Sequence, residues 1–291
     1  MKIAAIDIGS NSVRLMMWAD GKTLYKALNT TRLGEGLVST GVMTADAISR
    51  TAIAIRDFIS RAKSEGAERI FAFATAAVRS ASNRRDFLDE VKKVAGIDVD
   101  VISGEDEARI GILGAIGYGD GGIIDIGGAS TEITVQRDGV RLYSHSANIG
   151  TVRLYDACGR DEERLSRYIA GAIGEYGQVP CSNLTMYAIG GTATTMASVA
   201  LALGKYDPAI VDGTVITLER AREMAHSLLN MPVEEVKQVR GMEPRRADLI
   251  GGGCLLMYSI MQKLGITSVT VSEKDNLEGY VLSKLGGAGR G

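Results

Sequence analysis

Cysteine, histidine, aromatic side chains and net charge are all scarce in this chain, and each scarcity closes a route. The three cysteines, Cys158, Cys181 and Cys254, stand apart with no CxxC pair. An odd set of isolated thiols argues against a disulfide framework and for buried free thiols in a reducing compartment. The two histidines, His145 and His226, have no acidic or cysteine neighbour at ligand spacing, which argues against zinc. Aromatics make up only 5% and the net charge is −2, so nothing marks a nucleic-acid footprint. A polyanion would have to be met by a local cluster inside a cleft. Long apolar runs are missing too. The one long uncharged stretch, Thr185 to Gly204, is interrupted by Gly190-Gly191-Thr192 and by Thr194 and Thr195. It reads as strand, loop and buried helix, not as a membrane span. The N-terminus reaches Asp7 before the apolar core of a signal peptide could form. A cytoplasmic protein without membrane contact is expected.

What is present is a duplication. The 291 residues, 45% apolar and 23% charged, suffice for two globular domains. Lys2 to Gly9 is an apolar strand ending in a turn of small residues, and Val13 to Trp18 returns as a second strand. Residues 122–136 repeat this pattern 118 residues later without a gap. Ile6/Ile124, Asp7/Asp125, Ile8/Ile126, Gly9/Gly127, Ser12/Ser130, Asp20/Asp138 and Gly21/Gly139 are identical pairs. Both copies close with an Asp-Gly hairpin turn. A second echo, Ile70 to Ala76 against Tyr187 to Ala193, lies at a nearly equal offset of 117 residues. Each is a strand, a small-residue loop with Thr, and a helix start.

Between the repeats, strands and helices alternate in the manner of α/β folds. Helical spacing runs over Ala45 to Ala62, Arg85 to Val94, Glu105 to Ile116, Glu162 to Ile173, Leu218 to Leu229 and Leu249 to Leu264. Val99 to Ile102 and Ser268 to Ser272 read as strands. Gly117-Tyr-Gly-Asp-Gly-Gly122 fits the dinucleotide pattern GxGxxG, but it follows a helix and precedes a strand, so it reads as a linker. The expected lobes are 1–118 and 119–279, with the tail 280–291 returning to the first.

The duplicated turns carry the chemistry. Small residues in a tight turn let several backbone N–H groups approach a phosphate, and an Asp ending the preceding strand can hold Mg²⁺ there through water. The candidate phosphate loops are Gly9, Ser10, Asn11 and Ser12; Gly127, Gly128, Ser130 and Thr131; and, as a third, Gly190, Gly191 and Thr192. At the matched position one copy has Arg14 and the other Glu132, so the first looks suited to anion and the second to metal. Ser103 with Asp106 reads as a capping box, which makes no demand on Glu107.

A longer series of motifs then resembles one family. Asp7-Ile-Gly-Ser-Asn-Ser-Val-Arg-Leu15, Thr31 to Leu37, Ala74-Thr-Ala-Ala-Val-Arg79 and Ile102 to Arg109 occur in order. Asp125-Ile-Gly-Gly-Ala-Ser-Thr-Glu132, Ile149 to Arg153, Ile189 to Thr195 and Gly241 to Asp248 follow. The chain is similar throughout to the exopolyphosphatase and guanosine-pentaphosphate phosphohydrolase (Ppx/GppA) family. The resemblance implies an α/β fold of duplicated ribonuclease-H-like domains, the actin-like ATPase architecture, flanking a central cleft. It puts a general base on Glu107 and metal-associated carboxylates on Asp125, Glu132 and Asp7, with Mg²⁺ or Mn²⁺ as cofactor. Arg79 and Arg153, and more weakly Arg14 and Arg32, would face the anionic substrate, while Arg245 and Arg246 fall at a helix start shaping the second lobe. Polyphosphate or guanosine pentaphosphate is the implied substrate, and a homodimer the implied assembly. Ala129 replaces a usual Gly, Asn148-Ile149 a usual Pro-Leu, and Leu277 a usual Arg. Ala129 and Leu277 motivate a competing reading as a non-catalytic nucleotide or polyphosphate sensor, against which Glu107, Asp125 and Glu132 all stand.

Overall fold

The apolar run at the N-terminus folds as the central strand of a five-stranded sheet. A computed structural model of the chain describes residues 1–286. The first sheet holds β1 (Lys2–Ile8), β2 (Ser12–Ala19), β3 (Lys22–Thr30), β4 (Arg69–Ala74) and β5 (Asp100–Val101), in the order β3-β2-β1-β4-β5. Along it run α1 (Leu37–Thr40), α2 (Ala45–Ser64), α3 (Ala76–Ser80) and α4 (Arg84–Ala95), and α5 (Gly104–Ile116) leads out of the lobe. The second sheet holds β6 (Gly121–Ile126), β7 (Thr131–Arg137), β8 (Val140–Ala147), β9 (Met186–Ile189), β10 (Val215–Thr217) and β11 (Ser268–Val271). Its order is β10-β11-β9-β6-β7-β8. Around it lie α6 (Thr151–Cys158), α7 (Glu162–Ala172), α8 (Gly190–Ala200), α9 (Pro208–Val211), α10 (Leu218–Asn230), α11 (Val233–Val236) and α12 (Ile250–Leu264), and α13 (Asn276–Gly286) closes the described chain.

The internal repeat is a repeat of register. Asp7 lies opposite Arg14 in the β1–β2 ladder, and Asp125 lies opposite Glu132 in the β6–β7 ladder. β1 runs parallel to β4 as β6 does to β9. Even the irregularities match: the ladder slips at Met17/Trp18 and again at Val135/Gln136. The turns Asp20-Gly21 and Asp138-Gly139 have positive φ at both residues, the geometry that lets a two-residue hairpin follow strand twist.

Both faces of the first sheet are covered, which explains why β1 is apolar along nearly its whole length. Ala4, Ile6 and Ile8 point to one side and join Ile48, Ala52, Ile55, Phe87 and Val91 of α2 and α4. Ile3 and Ala5 point to the other and join Ile110 of α5 with Leu277, Tyr280 and Val281 of α13. This is the two-residue alternation of a strand buried on both sides. The C-terminal helix thus returns to the first lobe, with Tyr280 stacked on Phe73 at 4.3 Å between centroids. Residues 287–291 of the expected tail lie outside the described residues.

Helix starts follow their caps. The Thr44 side chain accepts from Ala47 N at 3.2 Å, and Ser103 Oγ accepts from Asp106 N at 3.0 Å. Three expectations change. The strand over Val99–Ile102 shrinks to Asp100–Val101. Gly190-Gly191-Thr192 is no loop: Gly190 takes φ +78 and helix α8 begins there directly. Leu277, where a cation would be usual, is fully buried in the core between α13 and β1. Among the described residues no helix is long and apolar enough to cross a membrane.

Candidate active site

The two turns meet. In each, the first Gly donates its N–H back across the turn, Gly9 to Ser12 O and Gly127 to Ser130 O, both at 3.0 Å. Each loop is braced by a later segment of its own lobe. Thr31 and Arg32 donate to Asn11 O, and Val152 and Arg153 donate to Gly128 O. A side chain on Gly128 would press within 2.7 Å of Ser10 Cβ, so the loops of the two lobes touch.

Between them lies a cleft of about 80 Å³. Asp7, Gly9, Ser10, Asn11, Ser12, Arg14, Glu107, Asp125, Gly127, Gly128, Ser130, Gly190, Gly191 and Thr192 all line it. So do Thr75, Thr151, Arg246 and Asn276, which sequence reasoning did not place there. The first turn of α8 contributes N–H groups not committed within the helix, a favourable position for an anion. Thr192 Oγ1 donates to Ile126 O at 2.8 Å and ties that turn to the second loop. Arg246, expected at a helix start, instead sits on a short 3-10 turn, Pro244–Arg246, with its guanidinium against Gly191. Burial, and secondly Arg14, hold its pKa down at about 10, so it stays cationic at neutral pH.

Five candidates stand outside the lining. Arg79 Nη1 donates to Glu107 Oε2 at 3.0 Å and to Ile102 O at 2.9 Å. Arg153 Nε donates to Ala129 O at 3.0 Å, bracing the second loop from behind. Arg32 reaches across the lobes to Asp248 at 2.9 Å and Arg245 O at 3.1 Å. Thr131 Oγ1 is spent on Ile149 O at 2.6 Å. Glu132, almost completely buried, accepts from Ser146 Oγ at 2.6 Å.

The charges are unevenly compensated. Arg14 grips Asp7 through Nε and Nη2 and reaches Asp275 through Nη1. Among the described residues no arginine bonds Asp125; Asn276 Nδ2 donates to its Oδ2 at 2.8 Å. Burial, then the Glu107 charge, push Asp125 up to about 8, and burial, then Asp125, push Glu132 up to about 7. Glu107 is raised well above its ordinary value by burial and by Glu132, against the pull of Arg79. Asp7 is raised by burial despite Arg14, and its buried Oδ1 has no hydrogen-bond partner among the described residues.

These features fit a hydrated divalent cation. Among the described residues no group of three or more His, Cys, Asp or Glu forms a ligand cage. Mg²⁺ and similar ions need none, because they keep water and substrate oxygens and take only one or two carboxylates. Carboxylates whose charged forms burial and mutual repulsion oppose, beside an orphaned Asp7 oxygen, are groups that an added positive charge would satisfy.

The sequence profile of the Ppx/GppA phosphatase family matches residues 18–287. The chain is 31% identical to Exopolyphosphatase 2 of Mycobacterium tuberculosis, over 98% of this chain and 99% of that protein. It is 29% identical to a guanosine-5'-triphosphate,3'-diphosphate pyrophosphatase of Photobacterium profundum, over 97% of this chain and 59% of that protein. The crystal structure of the Ppx/GppA family member from Aquifex aeolicus superposes with a TM-score of 0.80 at 29% identity, covering 100% of this chain and 99% of that one.

Proposed function

The chain belongs to the Ppx/GppA phosphatase family, and from that premise we propose that it is a cytoplasmic exopolyphosphatase releasing terminal orthophosphate from inorganic polyphosphate. One observation carries the reading: Glu107, Asp7, Asp125 and both repeated turns converge on a single small cleft. A cleft of this size suits a terminal phosphate group, the unit that an exo-acting hydrolase releases.

Glu107 acts as the base. Arg79 holds its Oε2, which leaves the other oxygen to accept a proton from the attacking water. The water oxygen bonds to the terminal phosphorus, the bridging P–O bond breaks, and the shortened chain departs with the bridging oxygen. The turn N–H groups, the start of α8 and Arg246 surround the phosphate oxygens, supplying the positioning and charge stabilisation on which phosphoryl transfer depends. Asp125 and Asp7 would hold Mg²⁺ or Mn²⁺, which when bound neutralises charge on the phosphate oxygens. Glu132, behind Asp125, would keep that side of the cleft acidic.

A second reading, hydrolysis of guanosine pentaphosphate, is favoured by a larger cavity of about 1300 Å³ that shares Arg14, Gly190, Gly191 and Arg246 with the cleft. Its acidic and basic lining residues occur in equal number, five of each: Asp212, Glu243, Glu273, Asp275 and Glu278 against Arg14, Lys22, Lys26, Arg246 and Lys274. Such a space suits a nucleoside better than a polyanionic chain. Phosphate release with Mg²⁺ from polyphosphate and from guanosine pentaphosphate, measured side by side, decides between them. Faster release from polyphosphate is expected; turnover of neither would leave a non-catalytic sensor. A homodimer, the family's habit, is expected from light scattering.

A further inference from the structure

Beyond their own hairpins, the two cleft aspartates are steadied by adjacent residues, Asp275 and Asn276, where the loop after β11 enters α13. We infer that Asp275 and Asn276 are a positioning pair that sets cation affinity, Asn276 by orienting Asp125 and Asp275 by anchoring the arginine that orients Asp7.

Asn276 is buried, and its Nδ2 donates to Asp125 Oδ2 at 2.8 Å. That single bond selects which Asp125 oxygen remains for a cation. Asp275, 3% exposed, takes Nη1 of Arg14 on Oδ2, while Nε and Nη2 of the same guanidinium hold Asp7 Oδ2. The Asp7 oxygen left over is the orphaned Oδ1. Each cleft aspartate is therefore tied through one oxygen and keeps the other free, and both ties lead back to adjacent residues. Outer partners that orient ligating carboxylates in this way commonly govern metal affinity.

The pair is itself fixed. Asp275 Oδ1 accepts from Leu277 N at 3.0 Å, and Glu278 Oε2 accepts from Asp275 N at 3.0 Å, a reciprocal cap on α13. Lys26 Nζ bonds Glu278 Oε2 at 2.9 Å and approaches Asp275 Oδ1 at 3.5 Å. Helix α5, which carries Glu107, packs directly on this loop. A side chain on Gly111 would come within 2.8 Å of Asn276 Oδ1, and one on Gly114 would strike the Asp275 backbone. The base and both aspartates thus share one support, which ties them across 151 residues of sequence in the case of Asn276 and Asp125.

The inference rests on the reading of the cleft as a cation site, and the test separates the two. Mn²⁺ binding to the full-length protein is measured by electron paramagnetic resonance for the wild type, Asn276→Leu, Asn276→Ala and Asp275→Asn, together with unfolding midpoints without metal. The expected result is about a 10–100-fold weaker Mn²⁺ affinity in Asn276→Leu and Asn276→Ala. A smaller loss is expected in Asp275→Asn, which keeps an acceptor for Leu277 N. Wild-type protein that binds no Mn²⁺ would overturn the cation site itself. Wild-type binding with variants that fold and bind Mn²⁺ within twofold of it would overturn the positioning role alone. Should Asn276→Leu not fold, the smaller Asn276→Ala decides by the same criterion.

Discussion

The two copies of the Asp-Ile-Gly hairpin have the same backbone and opposite electrostatics. In the first, the residue facing Asp7 across the ladder is Arg14, which pairs with Asp7 and reaches on to Asp275. In the second, the residue facing Asp125 is Glu132, and two acids share a buried face with Glu107 beside them. The ladder, the bulge and the turn were kept while one cross-strand partner changed sign. That change gives a symmetric cleft a direction, with a neutralised wall opposite an acidic one. Coulomb energy in a buried site is large enough for this one difference to decide where a cation goes.

The comparison can be broken in several ways. The largest effect belongs to the base that stands between the walls. Glu107→Gln is expected to lower kcat for phosphate release by about 10²–10⁴-fold, the usual contribution of a general base, while leaving the unfolding midpoint near that of the wild type. Steady-state kinetics with calorimetry check both halves. A smaller effect is expected of Glu132→Gln, because Glu132 is second only to burial in raising Glu107. Glu107 must lose its proton to act, so removing that negative charge lowers its pKa. The acidic limb of the kcat/KM profile should then move to lower pH; an unmoved limb would contradict the coupling.

Stability against pH sharpens the same contrast. Asp125 sits at about 8 and Glu132 at about 7 in the fold, above their ordinary values of 3.8 and 4.5. The folded chain therefore binds more protons than the unfolded one in that window. The contribution of these groups is fully present below about pH 4 and is lost as pH rises through 7 to 8. Asp275 behaves oppositely. Burial works against its charge, but Arg14 and Lys26 win and hold it at about 2, below 3.8. Its contribution is present above pH 4 and lost as pH falls through 2. Cation-free protein should lose stability from pH 5 to pH 8, and Mg²⁺ should flatten the slope. Chemical denaturation at stepped pH, with and without Mg²⁺, measures it.

The smallest effects belong to the arginines bracing each loop from outside. Arg32, a third exposed, clamps the first loop's exit to Asp248 of the other lobe, whereas Arg153 stays within its own lobe on Ala129 O. Each alanine substitution should cost about 1 kcal/mol or less. Only Arg32→Ala should also raise KM, because only it joins the lobes.

The sequence made the hairpins, the repeated turns and Glu107 legible because each is local. Turn chemistry, a strand's apolar run and a cap are written within a few consecutive residues, and the repeat doubled the signal. Arg246 and Asn276 were not legible, since they reach the cleft through tertiary packing alone. The motif Gly241 to Asp248 contains Arg246, but nothing in it says that the guanidinium turns toward Gly191. Thr131, Arg79 and Arg153 show the converse. Their residue types suit phosphate, yet neighbouring carbonyls and the Glu107 carboxylate already hold them. Leu277 stands where a cation is usual; it is a core residue, and its neighbour Glu278 makes an ion pair with Lys26.

The divergence of the two hairpins is tested most directly by Asp7→Asn and Asp125→Asn at pH 8, each unfolded with and without Mg²⁺. Asp7→Asn breaks a buried ion pair and should destabilise the fold by about 3 kcal/mol, near the low end for such pairs because Arg14 keeps Asp275. Asp125→Asn removes an acid that burial resists charging, so it should stabilise the cation-free fold while abolishing the rise given by Mg²⁺. A loss of stability in both, with the Mg²⁺ response intact in Asp125→Asn, would contradict the assignment of the acidic wall.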